Sequence, residues 1–226
     1  SFPTRRSSDL VMIGITIAIV LNLFYDYEGQ RQDLIRYMRE TENQLQILLC
    51  ELAAYLHNKD MEINVWDQII AFEGRMHEFI KAAYDYQDNT FHSHPGYYID
   101  YFEMRLAQLQ VLHNLHYEIK KIRKMPKQAL VIADYIMYMA DYVVEMNIPD
   151  QQIEKLEEIS EQMKQEELPK TREEFEGRAL LYHILMDLEE FLVYKKRFVN
   201  GLDEKKLRIY WKQEMEQKDS ANELQK

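Results

Sequence analysis

Breaks are scarce in this chain, and that scarcity constrains its fold more than any other feature. Across 226 residues there are 6 glycines and 5 prolines, and between them Leu, Ile, Met, Glu, Gln and Lys recur in long uninterrupted runs of helix formers. The expected fold class is therefore all-α, and the length is ample for a sizeable core. From Gln30 to about Asn58 the apolar positions Leu34, Met38, Leu45, Leu48, Leu52 and Tyr55 fall on one helical stripe. A second helix is expected from about Met61 to Tyr86, with Trp66, Ile69, Ile70, His77, Ile80 and Tyr84 on one face. The stretch Asp88–Gly96 is rich in turn residues, and Pro95 suits the first turn of a third helix reaching about Lys124. That helix carries Tyr98, Phe102, Leu109, His116 and Ile119 on one side.

Pro126 opens a fourth helix to about Met146 that is apolar nearly all round, so it is expected at the centre of the bundle. The charge-rich segment Asp150–Glu167 keeps only a narrow stripe of Ile153, Leu156, Ile159 and Met163 and belongs on the outside. Leu168-Pro169 then stops one helix, and Thr171-x-x-Glu174 forms a capping box that starts the next. This sixth helix runs through Phe175, Ala179, Tyr182, Met186 and Leu192 to Asn200-Gly201. A charged helix from about Asp203 to Lys218 and a frayed end follow. The sum is an antiparallel bundle of about six helices over residues 30–201, with residues 202–226 a charged helix and tail.

Upstream, Leu10–Tyr25 is a 16-residue run whose only polar members are Thr16 and Asn22. It shows no polar face, unlike a helix buried in a soluble core, which is the competing reading. Its reach of about 24 Å falls short of the ~30 Å hydrocarbon layer. Residues 11–29 are therefore expected to be the end of a last transmembrane helix in contact with the lipid bilayer. Residues 1–10, SFPTRRSSDL, read like a translated sequencing adapter and are set aside as non-native. The native chain is expected to continue upstream into a missing N-terminal membrane domain. Arg31, Arg36 and Arg39 just beyond the run place the following domain on the cytoplasmic side of a cell membrane.

The chemistry is sparse. Lys and Arg number 28 against 39 Asp and Glu, and the net charge of −11 would repel a phosphate backbone, so nucleic acid is not an expected partner. Cys50 is the sole cysteine, which excludes a disulfide framework and a cysteine-based zinc site. Glu-x-x-His, HExxH, GxSxG, P-loop and GxGxxG patterns are all absent. No catalytic residue, metal site or cofactor is assigned, and no enzyme is expected. Imidazoles can bind metal, and His113 and His116 lie one turn apart, with His77 and His183 on or beside apolar stripes and His92 and His94 in one loop. The simpler reading makes them hydrogen-bonded core or boundary residues.

A second constellation joins arginines to aromatics: Tyr97, Tyr98, Tyr101, Phe102 and Arg105 on the third helix, and Arg172, Phe175 and Arg178 on the sixth. A guanidinium fork can hold a carboxylate while aromatic faces cover an attached ring. Tyr101, Arg105, Arg172 and Arg178 are the candidate ligand-binding residues, with Glu174 as a further position to test. Equally, Glu103, Glu174 and Glu176 are near enough in sequence for these arginines simply to pair with carboxylates inside the bundle.

The string LPKTREEFEGRA from Leu168 to Ala179, continued by LLYHILMDLEEFLVYKKRF, resembles the C-terminal domain of the bacterial aromatic acid exporter family. YIDYFEMRLAQLQVL, from Tyr98 to Leu112, and IGITIAIVLNLF, from Ile13 to Phe24, are similar to the same family in the same order. The resemblance covers the chain from residue 11 to about 200. It implies a helical cytoplasmic domain attached to a multi-helix membrane domain in an exporter of aromatic carboxylic acids. On that basis the domain would regulate or assemble the exporter, through an aromatic carboxylate ligand or a homo-oligomer. A membrane-tethered interaction scaffold without small-molecule binding is the alternative.

Overall fold

In a computed structural model, which describes residues 11–17, 27–58, 64–90, 96–202 and 211, the runs between breakers are helices. They are α1 (11–17), α2 (Tyr27–His57), α3 (Val65–Asn89), α4 (Gly96–Lys121), α5 (Ala129–Ala140), α6 (Asp150–Lys164) and α7 (Arg172–Asn200). No strand occurs among the described residues. The α2 stripe is buried as its periodicity requires, from Leu34 to Tyr55. Each such large side chain contributes about 1.5–3 kcal/mol of transfer free energy.

Neighbouring helices run antiparallel, as side-chain pairs at their two ends show. Along α2 and α3, Glu40 meets Arg75 and Glu51 meets Gln68. Along α3 and α4, Trp66 packs on His113 while Tyr86 packs on Tyr98. Along α4 and α7, Tyr97 lies against Phe198 and Gln108 donates to the Phe191 carbonyl. Likewise α5 runs against α2, with His57 on Asp134 and Gln46 on the Val143 carbonyl. Finally α6 lies against α7, with Asp150 on Lys196.

Three expectations need correction. The central element is α4, which packs on α2, α3 and α7 and buries 14 of its 26 residues. By contrast α5 ends at Ala140 and leaves Leu130, Val131 and Met137 exposed. The buried stripe of α3 is Val65, Ile69, Phe72, Met76, Phe79, Ala83 and Tyr86, whereas Trp66, Ile70 and Tyr84 face outward. On α7 the inward face is Gly177, Leu181, Ile184, Leu188, Phe191, Lys195 and Phe198, so Phe175, Tyr182 and Met186 lie on the solvent side. Both helices carry two apolar stripes, and periodicity alone does not say which one meets a neighbour.

The cap before α7 forms as expected, with Thr171 Oγ1 accepting from the Glu174 amide at 3.1 Å and Glu174 reaching back to the Lys170 amide at 2.9 Å. On α1, Val11, Met12, Ile13, Ile15 and Ile17 are exposed. Among the described residues no helix is long and apolar enough to cross a membrane. The remainder of the expected membrane segment (18–26), residues 1–10, the loop with His92 and His94, and residues 203–210 and 212–226 lie outside the described residues.

Candidate functional site

Because α4 is enclosed on three sides, Tyr101 and Arg105, one turn apart, both point into the bundle and are essentially inaccessible. A guanidinium there requires acceptors, since an unpaired buried charge is very costly. It finds Gln108 Oε1 at 2.9 Å and Glu42 Oε1 at 3.5 Å, and its plane lies over the Tyr101 ring. Glu42, from α2, also accepts from Tyr101 at 3.0 Å and from Arg39 at 2.9 Å. Arg39 reaches on to Glu145 at 3.0 Å, and Glu145 accepts the Tyr97 hydroxyl. Lys195 of α7 closes the chain by donating to the Glu145 main-chain carbonyl, and Trp211 Nε1 donates to the Tyr97 oxygen at 3.2 Å.

The protonation states follow from this enclosure. Burial, with the adjacent carboxylates adding to it, keeps the Tyr97 and Tyr101 phenols far above their usual range, so both are neutral donors. Burial and then the Arg105 charge drive the Lys195 ammonium well below its usual range, against the pull of Glu42 and Glu145. Arg105 therefore pairs with Glu42, 63 positions away, and not with nearby Glu103, which accepts from Tyr84.

Arg172 and Arg178 stand elsewhere. From Phe191, which is level with Gln108, back to Arg178 is 13 residues of α7, about 20 Å at the helical rise. The four candidates thus form two separate places. Arg172 is exposed and pairs with Glu176 at 2.8 Å. Arg178 is largely covered, donating to Glu174 at 2.6 Å and to the Glu167 carbonyl at 2.7 Å. Glu174 is held below its usual range by the Lys170 amide and then by Arg178.

Arg178 lines a cleft of about 230 Å³ between the end of α6 and the outward stripe of α7. Met163, Leu168, Phe175 and Tyr182 give it apolar and aromatic walls, and Gln128 at the entry to α5 lies beneath, hydrogen-bonded to Glu166. The close approach of the 122–128 connection to α7 depends on Gly177, where a Cβ would stand 2.9 Å from Pro126 Cγ. The cleft could hold one aromatic ring with an anionic group at Arg178.

Among the described residues no group of three His, Cys, Asp or Glu side chains is placed to hold a metal. His113 packs edge-on against Trp66 at 4.5 Å, and His116 is held low by burial, Lys120 and His113. Cys50 is a free, half-buried thiol.

Sequence reasoning missed Glu42, Glu145, Lys195 and Trp211 as members of the interior network. Two had a legible signal. Glu42 sits between Met38 and Leu45 beside the buried α2 stripe, and Lys195 continues the spacing of Leu188, Phe191 and Leu192. A charge at an inward position asks for a partner. Glu145, beyond α5, and Trp211, beyond α7, had none.

The same fold occurs in a solved structure described as "Crystal structure of putative membrane protein from Clostridium difficile 630", with a TM-score of 0.65 and 24% identity. That match covers 73% of this chain and 98% of the other. The "Uncharacterized protein YqjA" of Bacillus subtilis (strain 168) is 27% identical over 194 residues, 84% of this chain. The chain spans 58% of the length of that relative. A family model described as "Putative aromatic acid exporter C-terminal domain" matches residues 31–196, from the start of α2 almost to the end of α7. With that span covering every helix that builds the interior network and the Arg178 cleft, the chain belongs to the aromatic acid exporter C-terminal domain family.

Proposed function

We propose that this chain supplies the cytoplasmic regulatory or assembly domain of an exporter of aromatic carboxylic acids, attached to a membrane-embedded part. The family supports the exporter, and the exposed apolar α1 supports attachment at a membrane. The observation that carries a regulatory role is the Arg178 cleft. There a guanidinium already engaged by a carboxylate lies beside Phe175 and Tyr182. A ligand carboxylate takes over the bond from Glu174, and its ring covers the aromatic wall. The exchange replaces one charge-assisted contact by another, and Glu174, about a third exposed, turns to water as it gives way. In this reading the domain performs no catalysis and needs no cofactor.

The test is calorimetric titration of the chain in mild detergent with benzoate, using cyclohexanecarboxylate and benzyl alcohol as controls. Benzoate should bind, each control should bind more weakly, and Arg178→Gln should remove benzoate binding. Heat-silent titrations with benzoate and phenylacetate, together with unchanged thermal stability, would refute ligand sensing. One observation favours the reading without a ligand, an interaction scaffold: α5 presents Leu130, Val131 and Met137 to solvent. Light scattering that shows a stable oligomer broken by Met137→Glu, with no ligand response, would favour it.

A further inference from the structure

The outward face of α7 carries an apolar stripe that stays open to solvent. Phe175, Tyr182 and Met186 are 61%, 36% and 66% exposed, and exposed Ala179 lies among them. At about 100° of turn per residue these four positions share a sector about 60° wide. That sector lies opposite the buried face of Gly177, Leu181, Ile184 and Leu188. Large apolar side chains grouped on one exposed helix face mark a surface that associates.

The two ends of the stripe carry opposite charge. Arg172, its side chain 89% exposed, stands one turn before Phe175 and is paired with Glu176 of its own helix. Glu189 and Glu190, both exposed, stand one turn beyond Met186. Glu189 forms no ion pair among the described residues, and Glu190 accepts the Tyr194 hydroxyl at 3.0 Å. The order along the face is therefore cation, Phe175, Ala179, Tyr182, Met186, anion, and it is complementary to its own reverse. Turned end for end about a point between Leu180 and Leu181, Arg172 changes places with Glu189, Phe175 with Met186, and Ala179 with Tyr182. A two-fold contact requires that kind of self-complementarity.

We propose that the occupant of this face is a second copy of the chain, with the two α7 helices packed antiparallel about a two-fold axis beside Leu180 and Leu181. Phe175 meets the partner's Met186 in a sulfur–aromatic contact, and the small Ala179 leaves room for the partner's Tyr182. Arg172 meets the partner's Glu189, and the symmetry makes every contact twice. The acidic end of the stripe disfavours an anionic bilayer as the occupant. A single helix face buries less than the roughly 800 Å² per partner of a standard interface, so the dimer is weak in solution and is strengthened when two chains are held in one membrane. Phe175 and Tyr182 also wall the Arg178 cleft, so the second copy stands over the mouth of that cleft. The strengthening in a membrane rests on the attachment proposed above, and the pairing itself does not.

The experiment is sedimentation equilibrium of the full chain in a density-matched mild detergent, over a hundredfold range of protein concentration. The dimer fraction should grow with concentration. Met186→Glu should weaken the dimer about tenfold or more, whereas Met137→Glu on α5 should leave it unchanged. Arg172→Glu alone, and Glu189→Arg with Glu190→Arg alone, should each weaken self-association, because like charges then face each other at both ends. An equal mixture of these two variants should associate as the parent does, since each end again joins opposite charges. All these positions are exposed, and circular dichroism should show unchanged helix content. A chain that stays monomeric throughout overturns the proposal, and benzoate binding by such a monomer leaves the cleft standing. Association that survives Met186→Glu, or is broken by Met137→Glu, places the contact elsewhere and overturns it. A mixture that associates no better than its two components overturns the antiparallel pairing.

Discussion

Removing the Glu42 carboxylate probes how tightly the interior network is held. Glu42 accepts from Tyr101 at 3.0 Å, Arg39 at 2.9 Å and Arg105 at 3.5 Å. In Glu42→Ala, Arg39 keeps Glu145, but the Tyr101 hydroxyl loses its acceptor and the Arg105 guanidinium keeps only Gln108. Each stranded buried donor costs about 1–3 kcal/mol, and breaking one side of a buried ion pair costs about 3–5 kcal/mol. These estimates describe the same loss and are not additive, so the expected destabilisation is about 3–5 kcal/mol. Urea unfolding followed by circular dichroism should show a midpoint lowered by about 2 M at a slope of about 2 kcal/mol/M, with that slope unchanged. Replacing both partners, Glu42→Leu with Arg105→Met, should recover most of the loss, since apolar residues of similar volume often substitute for a buried pair. A cost below about 1 kcal/mol for Glu42→Ala, or a double variant as unstable as the two single losses combined, would refute a tightly coupled network.

Two further outcomes can be checked directly. Gly177→Ala sets a methyl 2.9 Å from the Pro126 ring and 3.4 Å from the Lys124 carbonyl. Helix propensity alone would favour alanine by about 1 kcal/mol, so a net loss of about 1–3 kcal/mol in thermal unfolding is diagnostic of the close approach, and a gain refutes it. Asp187 titrates at about 6 because burial, and then Glu118 and Glu190, raise it against the pull of His183. A carboxyl that holds its proton more tightly when folded imposes no penalty below about pH 4, and the penalty grows as pH rises to about 6 and is constant above. Asp187→Asn should therefore stabilise the chain at pH 7, by up to about 1 kcal/mol after solvent screening, and leave it unchanged near pH 4. Melting temperatures that differ equally at both pH values would show that the titration is not the cause.

Between residues 27 and 202 the existence of the helices and most of their breaks were legible, because they depend on local chemistry, although the helix expected to run from Pro126 to Met146 spans only Ala129–Ala140. Few glycines and prolines leave long helical runs, Thr171 with Glu174 supplies a cap, and the α2 stripe from Leu34 to Tyr55 has only one strongly apolar face to bury. The competing reading of the sixth-helix arginines was legible for the same reason, since Arg172 and Arg178 pair with Glu176 and Glu174 four positions away along one helix face. Family membership likewise follows from strings of sequence, at Tyr98–Leu112 and Leu168–Phe198, the first inside the matched span 31–196 and the second inside it but for its last two residues.

Tertiary structure alone decided which stripe of α3 and α7 meets a neighbour, and so that Phe175 and Tyr182 wall a cleft and do not fill the core. It alone separated Arg105 from Arg178 and gave Arg105 a partner 63 positions away. It also brought Glu145, Lys195 and Trp211 into one network from three regions of the chain. The physical reason is common to all three. A helix fixes its own hydrogen bonds within four residues, whereas a buried charge or a choice between two apolar faces is settled by whatever other segment removes it from water.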